Sequence, residues 1–512
     1  MDLGDNDEGI NKGLKLIAKS SVVVFIGIFL SKILFYLYRI IIAKHYGPEI
    51  YGLFALSIML ICWFRVVSDL GIKQGLLRHI SLFRGKKEKE KIKSLIKISF
   101  FILTLTSIFA GILLFFSSEF IALKIFSNSG LTIFLKIFSI VIPLAVLGEA
   151  FLSVLRAYEK IGWYSFIANV LGNFVTLTIF IFLILLGMNS TAVPISYLIG
   201  AFSILVAGYV VCKIKLSEVF NSKEKTNNPK SRKIFKEMFS YSWPFLFYGV
   251  VTFIFYSIDS FMIGIFKSIE QVGFYNAAVP IALLLSLPLS LFGQLFFPLV
   301  AKEFSKGNTS VVKQLSQQVG KWIFMLVLPL FILFMIFPGA VINILFGSEY
   351  IVAENALRFL SIGTFFSMLF AISHELLSIK GKSKLLLIDM IFAGALNIIL
   401  NLLLVPRYGI TGAGFATMLS LIILNILFMI QAYKHLSIIP FRKKMLRIVL
   451  ITVISTILLL FIKSFVEINT LSLIFCGVFF LAVYTLLILL TNCLDKNDLY
   501  ILRSVFKKML KK

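Results

Sequence analysis

Acid, thiol and imidazole groups are all scarce in this chain. Only 24 Asp and Glu stand against 50 Lys and Arg, with four cysteines and four histidines in 512 residues. Cys62, Cys212, Cys476 and Cys493 lie in or beside apolar runs and far apart, so they form neither a metal-ligand spacing nor a disulfide framework. The histidines are equally scattered and give no zinc or triad pattern. Outer loops are short and carry no DxD motif, which argues against a polytopic glycosyltransferase or polymerase. Neither a metal nor a cofactor is expected, and no catalytic residue.

What the chain has in excess is apolar: 59% of its residues are hydrophobic, and 54 are Phe. The excess comes as repeated runs near twenty residues, the length that crosses a bilayer as a helix. These runs predict an all-α polytopic membrane protein of about fourteen transmembrane helices. Their approximate extents are 17–43, 51–72, 95–117, 131–153, 164–187, 191–213, 239–266, 273–300, 319–345, 355–379, 384–405, 409–433, 445–465 and 469–491, with ends good to roughly four residues. The first run is too long and too charged for a cleaved signal peptide, and it lacks a small-residue cleavage site.

A net charge of +26 suggests nucleic acid as a partner at first sight. The cations, however, crowd into alternate loops. Roughly 40 Lys and Arg fall on one side against about 6 on the other, as the positive-inside rule requires of a plasma-membrane protein. Segments 73–97, 213–236 and 434–447 and the tail after 495 carry most of them. Both termini are therefore expected in the cytoplasm, and membrane lipid rather than nucleic acid is the partner. The tail from 498 to 512 has an apolar face flanked by Arg503, Lys507, Lys508, Lys511 and Lys512. It suits a helix lying on an anionic leaflet or packed against the rest of the protein.

The first six helices and the next six start on the same side. GPEIYGLF (47–54) after the first matches SIEQVGFY (268–275) after the seventh, with Glu49, Gly52 and Phe54 spaced like Glu270, Gly273 and Tyr275. Two parallel repeats around a central cavity follow. The expected divisions are an N-terminal lobe 1–236 (helices 1–6 and a basic linker), a C-terminal lobe 237–440 (helices 7–12), and 441–512 (helices 13–14 and the basic tail). The polar stretch 221–231 is the expected lobe connector.

Charges inside the apolar runs point to function, because each costs several kcal/mol at membrane depth unless it meets water or a partner. Lys32 and Arg39 sit two helical turns apart with Tyr36 between them on one face. Snorkelling to the headgroups suits Arg39 near the end of its run, but not Lys32 in the middle. Arg65 repeats the theme in the second run, with Asp69 near its end. Such a cationic pocket suits an anionic substrate. Asp259, with Tyr256 and Thr252 at helical steps, occupies the equivalent place in the second repeat. It would either pair with the cations of the first helix or bind a coupling H⁺ or Na⁺. Asn169 and Asn173, like Asn397 and Asn401, share a helix face and suit interhelical hydrogen bonds or substrate contact. Glu149, Glu375 and Asp389 near helix ends are expected to pair with Lys or Arg. Pro280, Pro288 and Pro298 are expected to break the eighth helix. GITGAGFA (409–416) lacks a phosphate-loop Lys and reads as close helix packing.

Three segments carry a resemblance across nearly the whole chain. They are AKHYGPEIYGLFALSIML with DLGIKQGLLRHIS, SIDSFMIGIFKSIEQVGFYNAAVPIALL, and LFGSEYIVAENALRFLSIGTFFSM with LNIILNLLLVPRYGITGAGFATMLS. In order and spacing the chain resembles the polysaccharide-biosynthesis flippase branch of the multidrug/oligosaccharidyl-lipid/polysaccharide exporter superfamily. The resemblance implies two six-helix lobes that alternate access to a central cavity and a lipid-linked oligosaccharide as cargo. Cations of the first two helices, here Lys32, Arg39 and Arg65, would contact the diphosphate; Tyr36, Tyr256, Asn173 and Asn397 are further cavity candidates. A monomer acting beside glycan-assembly enzymes is expected. The rival within the superfamily is a cation-coupled drug antiporter, which favours an acidic cavity.

Overall fold

Backbone amides in hydrocarbon must pair within their own segment, so apolar runs of this length form helices. The computed structural model describes residues 4–220, 231–465, 470–491 and 493, and among these no strand occurs. The tail beyond 493 and nearly all of the connector 221–231 lie outside the described residues.

Six helical stretches build the first part: α1 (Gly4–Asp69), α2 (Ile72–Gly85), α3 (Lys89–Phe120, prolonged by a π turn to Ile125), α4 (Gly130–Ala157), α5 (Ile161–Leu185) and α6 (Ala192–Lys215). They are followed by α7 (Ser231–Phe266), α8 (Ile269–Leu283), α9 (Leu287–Ser305), α10 (Thr309–Ile336), α11 (Pro338–Phe346), α12 (Glu354–Ile379), α13 (Ser383–Leu436), α14 (Lys443–Lys463) and α15 (Thr470–Leu490).

Twelve helices among the described residues are long and apolar enough to cross a membrane, against fourteen runs in the sequence. The difference has a local cause. The apolar part of α1, Gly27–Asp69, has 43 residues, and α13 has 54. At 1.5 Å per residue each exceeds twice the ~30 Å hydrocarbon thickness. Both are broken at a single glycine: Gly47 has φ 80° and Gly409 has φ 55°. A side chain at positive φ would be strained, so glycine lets one helix end and the next begin with no loop between them. Where the sequence suggests a loop, one residue suffices.

Two expectations are corrected. The basic segment 73–97 is mostly helix: α2 buries Ile72, Leu76 and Ile80 at four-residue steps. The eighth helix breaks once rather than three times, at a 3₁₀ turn over Leu284–Ser286, with Pro288 near the start of α9 where its missing N–H costs nothing.

The abundance of Phe has a structural reason on α3. Phe101, Leu105, Phe109, Ile112 and Phe116 are exposed along one face, while Leu103, Ser107, Ala110 and Leu114 are buried on the other. An apolar stripe of that extent is stable only against acyl chains.

The chain packs as two units. One is Met1–Asn276 with Gly394–Ala413; the other is Ala277–Ala393 with Gly414–Lys512. These packing units are a different division from the sequence repeats. Within the first, Tyr38, Phe54, Phe138, Phe180 and Tyr197 form an aromatic core with ring centroids 4.9–6.4 Å apart. Within the second, α14 and α15 pack on α10 through Phe324, Leu328, Ile448, Ile451, Tyr484 and Ile488.

The paired motifs of the two repeats meet inside the first unit. A Cβ on Gly52 would fall 1.9 Å from the Ile269 carbonyl oxygen, and one on Gly273 would fall 2.0 Å from the Pro48 oxygen. Each glycine thus seats the backbone four residues before the other. Tyr51, next to this crossing, donates from its hydroxyl to the Asn276 carbonyl at 2.9 Å.

Candidate substrate cavity

Helices α1, α2, α4, α5 and α6 enclose a cavity of about 450 Å³ within the first unit. Its polar lining includes Arg65, Lys73, Glu149, Arg156, Asn173 and Tyr197. Residues 70 and 71 form a tight corner, with φ 52° at Leu70 and 71° at Gly71, after which α2 packs against α4. That corner brings Lys73 alongside Glu149 of α4. The Glu149 carboxylate takes Arg65 on Oε1 and Lys73 on Oε2. Lys73 also lies 3.7 Å from Asp69 Oδ2, while Asp69 Oδ1 is buried without a hydrogen-bond partner. Arg156 rests its guanidinium 5.2 Å from the centre of the Tyr164 ring. Three cations therefore line a cavity whose lining holds one carboxylate. The expectation that Glu149 pairs with nearby cations holds; Asp389 instead accepts from Gln431 at 2.8 Å, and Glu375 lies 3.5 Å from His374.

Lys32, Tyr36 and Arg39 are placed apart in burial. Lys32 is exposed, whereas Tyr36 and Arg39 are half-buried. Arg39 lies 5.1 Å from the Phe35 ring centre and 5.6 Å from that of Tyr51. Its Nε is buried without a hydrogen-bond partner. Aromatic faces can hold a guanidinium without neutralising it. Asn173 donates to Ser31 Oγ at 2.9 Å and to the Asn169 carbonyl at 3.0 Å, so it ties α5 to the turn of α1 that precedes Lys32. It lies two residues beyond a π turn over Phe166–Leu171, a wide turn that is frequent at functional sites.

A second polar cluster surrounds Asp259, which is 4% exposed. Its Oδ2 accepts from the Tyr275 hydroxyl at 2.7 Å and its Oδ1 from the Asn401 amide at 2.8 Å. Asn401 also donates to the carbonyl of Asn397 at 2.9 Å, and both Asn side chains are fully buried. Tyr256, expected to share this face, is 61% exposed and stands against Phe255. Sequence reasoning passed over Lys73, Arg156, Tyr197 and Tyr275 as site residues. For Tyr275 a signal existed, since it occupies the last matched position of the repeated motif. Lys73 was hidden in a segment read as a linker.

Comparison with known proteins agrees with this architecture. An uncharacterised membrane protein of Methanocaldococcus jannaschii is 26% identical over 501 residues, covering 94% of this chain and 96% of that protein. The lipid II flippase of Bacillus subtilis is 24% identical over 478 residues, covering 87% of each. The solved inward closed conformation of a lipid II flippase superposes with a TM-score of 0.71 at 18% identity, covering 96% of this chain and all of that one. The family described as polysaccharide biosynthesis protein matches residues 17–304. With more than half its length matched, the chain belongs to the polysaccharide biosynthesis protein family.

Proposed function

We propose that this protein is a flippase for a lipid-linked oligosaccharide. It carries the headgroup from the cytoplasmic to the outer leaflet while the polyprenyl tail stays in lipid. Both termini are cytoplasmic in this reading, and the two sequence repeats are the moving bodies of an alternating-access cycle. The observation that carries the reading is the cavity lined by Arg65, Lys73 and Arg156 with Glu149 as the one carboxylate of its lining, paired with the first two. A phosphate or diphosphate entering it would exchange water for charge-assisted hydrogen bonds, which offsets its desolvation. Glu149 holds two of the cations until the headgroup arrives and takes its place. Arg39, half-buried and cradled by aromatic rings, supplies a further donor on the headgroup's path, with Lys32 and Asn173 beside it. No bond is broken, so the side chains bind and release without chemistry. Asp259, solvated by Tyr275 and Asn401, is the coupling carboxylate for H⁺ or Na⁺. The named activity of the flippase relatives supports the same reading.

The test is translocation of a fluorescent polyprenyl diphosphate sugar in proteoliposomes. Arg39→Ala should abolish flux while leaving the far-UV spectrum and melting temperature in place. Unchanged flux would remove Arg39 from the substrate path, and uptake of cationic dyes in place of the lipid would favour a drug antiporter instead.

A further inference from the structure

A second recess opens at the basic ends of the same helices. It measures about 420 Å³ and is built where α2 passes to α3, α4 to α5, and α6 to a single helical turn over Ser217–Phe220. Its floor is apolar or aromatic: Ile92, Tyr158, Leu216 and Val219. Its rim carries Arg84, Lys87, Lys89, Lys160 and Lys215. Two of these cations are already matched. Arg84 lies 3.1 Å from Glu159 and donates to the Ala157 carbonyl at 3.0 Å, and Lys89 reaches Glu218 at 2.5 Å. These pairs tie α2 to the α4–α5 turn and α3 to the turn after α6, so the walls are held together. Lys87, Lys160 and Lys215 have no carboxylate partner among the described residues and stand exposed around the mouth.

The ordinary alternative is a solvated basic face of the kind found wherever cytoplasmic loops collect cations. Two features set this place apart. It is concave with an apolar floor, whereas a solvated face is convex and polar. It also stands at a defined depth. With its π turn, α3 runs 37 residues, about 55 Å at 1.5 Å per residue, against a ~30 Å hydrocarbon core. Lys89 and Ile92 at its start therefore lie at headgroup level or just outside it. We propose that this recess is a binding site for one phosphate-bearing ligand, with the phosphate between Lys87, Lys160 and Lys215 and the adjoining apolar part against Tyr158, Leu216 and Val219. The phosphate of an anionic phospholipid and that of a free organic phosphate share the recognised chemistry. The site is separate from the Glu149 cavity and does not depend on the transport reading.

The full-length protein in discs of neutral lipid provides the test. Inorganic pyrophosphate is titrated by calorimetry, and dioleoyl phosphatidic acid is counted by native mass spectrometry. The wild type should take up at least one probe, with one equivalent of that uptake belonging to this recess. The triple substitution Lys87→Ala, Lys160→Ala, Lys215→Ala should weaken it on the order of 100-fold. A charge-matched control, Lys302→Ala, Lys306→Ala, Lys313→Ala in the second unit, should leave it unchanged. Uptake of phosphatidic acid alone assigns a lipid headgroup, and uptake of pyrophosphate a soluble phosphate. Failure of both probes to bind the wild type, or equal loss in the two triple variants, overturns the proposal. All six lysines are exposed, so melting temperatures of the variants should match the wild type and separate lost binding from lost fold.

Discussion

The first packing unit solves the problem of charge within helices in two ways. At Glu149 the carboxylate meets two cations and the cluster borders a cavity; its side chain is 34% exposed and that of Arg65 19%. At Asp259 a buried carboxylate is met by a phenol and an amide. The first arrangement neutralises charge pairwise and leaves cations that an incoming anion can claim. The second spreads one negative charge over neutral donors and leaves its sign intact. Binding a large anion and binding a small cation ask for these opposite solutions.

The difference can be broken most severely at the buried carboxylate. Asp259→Ala strips two buried donors of their acceptor and should cost about 3 kcal/mol, read as a loss in melting temperature in detergent. Asp259→Asn should restore much of that stability while still stopping ion-dependent transport. Glu149→Ala leaves Arg65 and Lys73 facing each other across a wet cavity. Its cost should be about 2 kcal/mol, between that of a surface pair and a dry one. Salt separates the two sites. Raising ionic strength from 0.1 to 1 M shortens the screening length from about 10 to about 3 Å. The Glu149→Ala penalty should shrink and the Asp259→Ala penalty should hold; an equal response would mean that the clusters are not different in kind. The mildest expected effect is Tyr275→Phe, about 1.5 kcal/mol, with Asn401 still holding the carboxylate. A silent Tyr275→Phe would remove the phenol from this account.

The helices were legible because lipid imposes one rule on every residue of a span. Lys32, Arg39, Arg65 and Asp259 stood out since each breaks that rule. What stayed hidden depends on where helices turn. Lys73 reaches Glu149 only because of the corner at Leu70 and Gly71, and in sequence it is one cation among many in a basic stretch. Lys321 likewise closes a stretch of scattered cations that begins at Lys302, yet it is fully buried in α10. Spacing also placed Tyr256 beside Asp259, but a helix of 36 residues has a face toward its neighbours and one away from them, and periodicity alone does not say which is which. The resemblance fixed the family and left the pairing of individual side chains open.

Gly52 and Gly273 leave one last consequence. Each occupies the only space into which the other's neighbouring backbone can fit, so neither position is free to change by itself. An alanine at either must push the crossing open, and a second one does not relieve the first. If the halves arose by duplication, this contact made each copy a constraint on its twin, and the two have had to accept or refuse change at this point together.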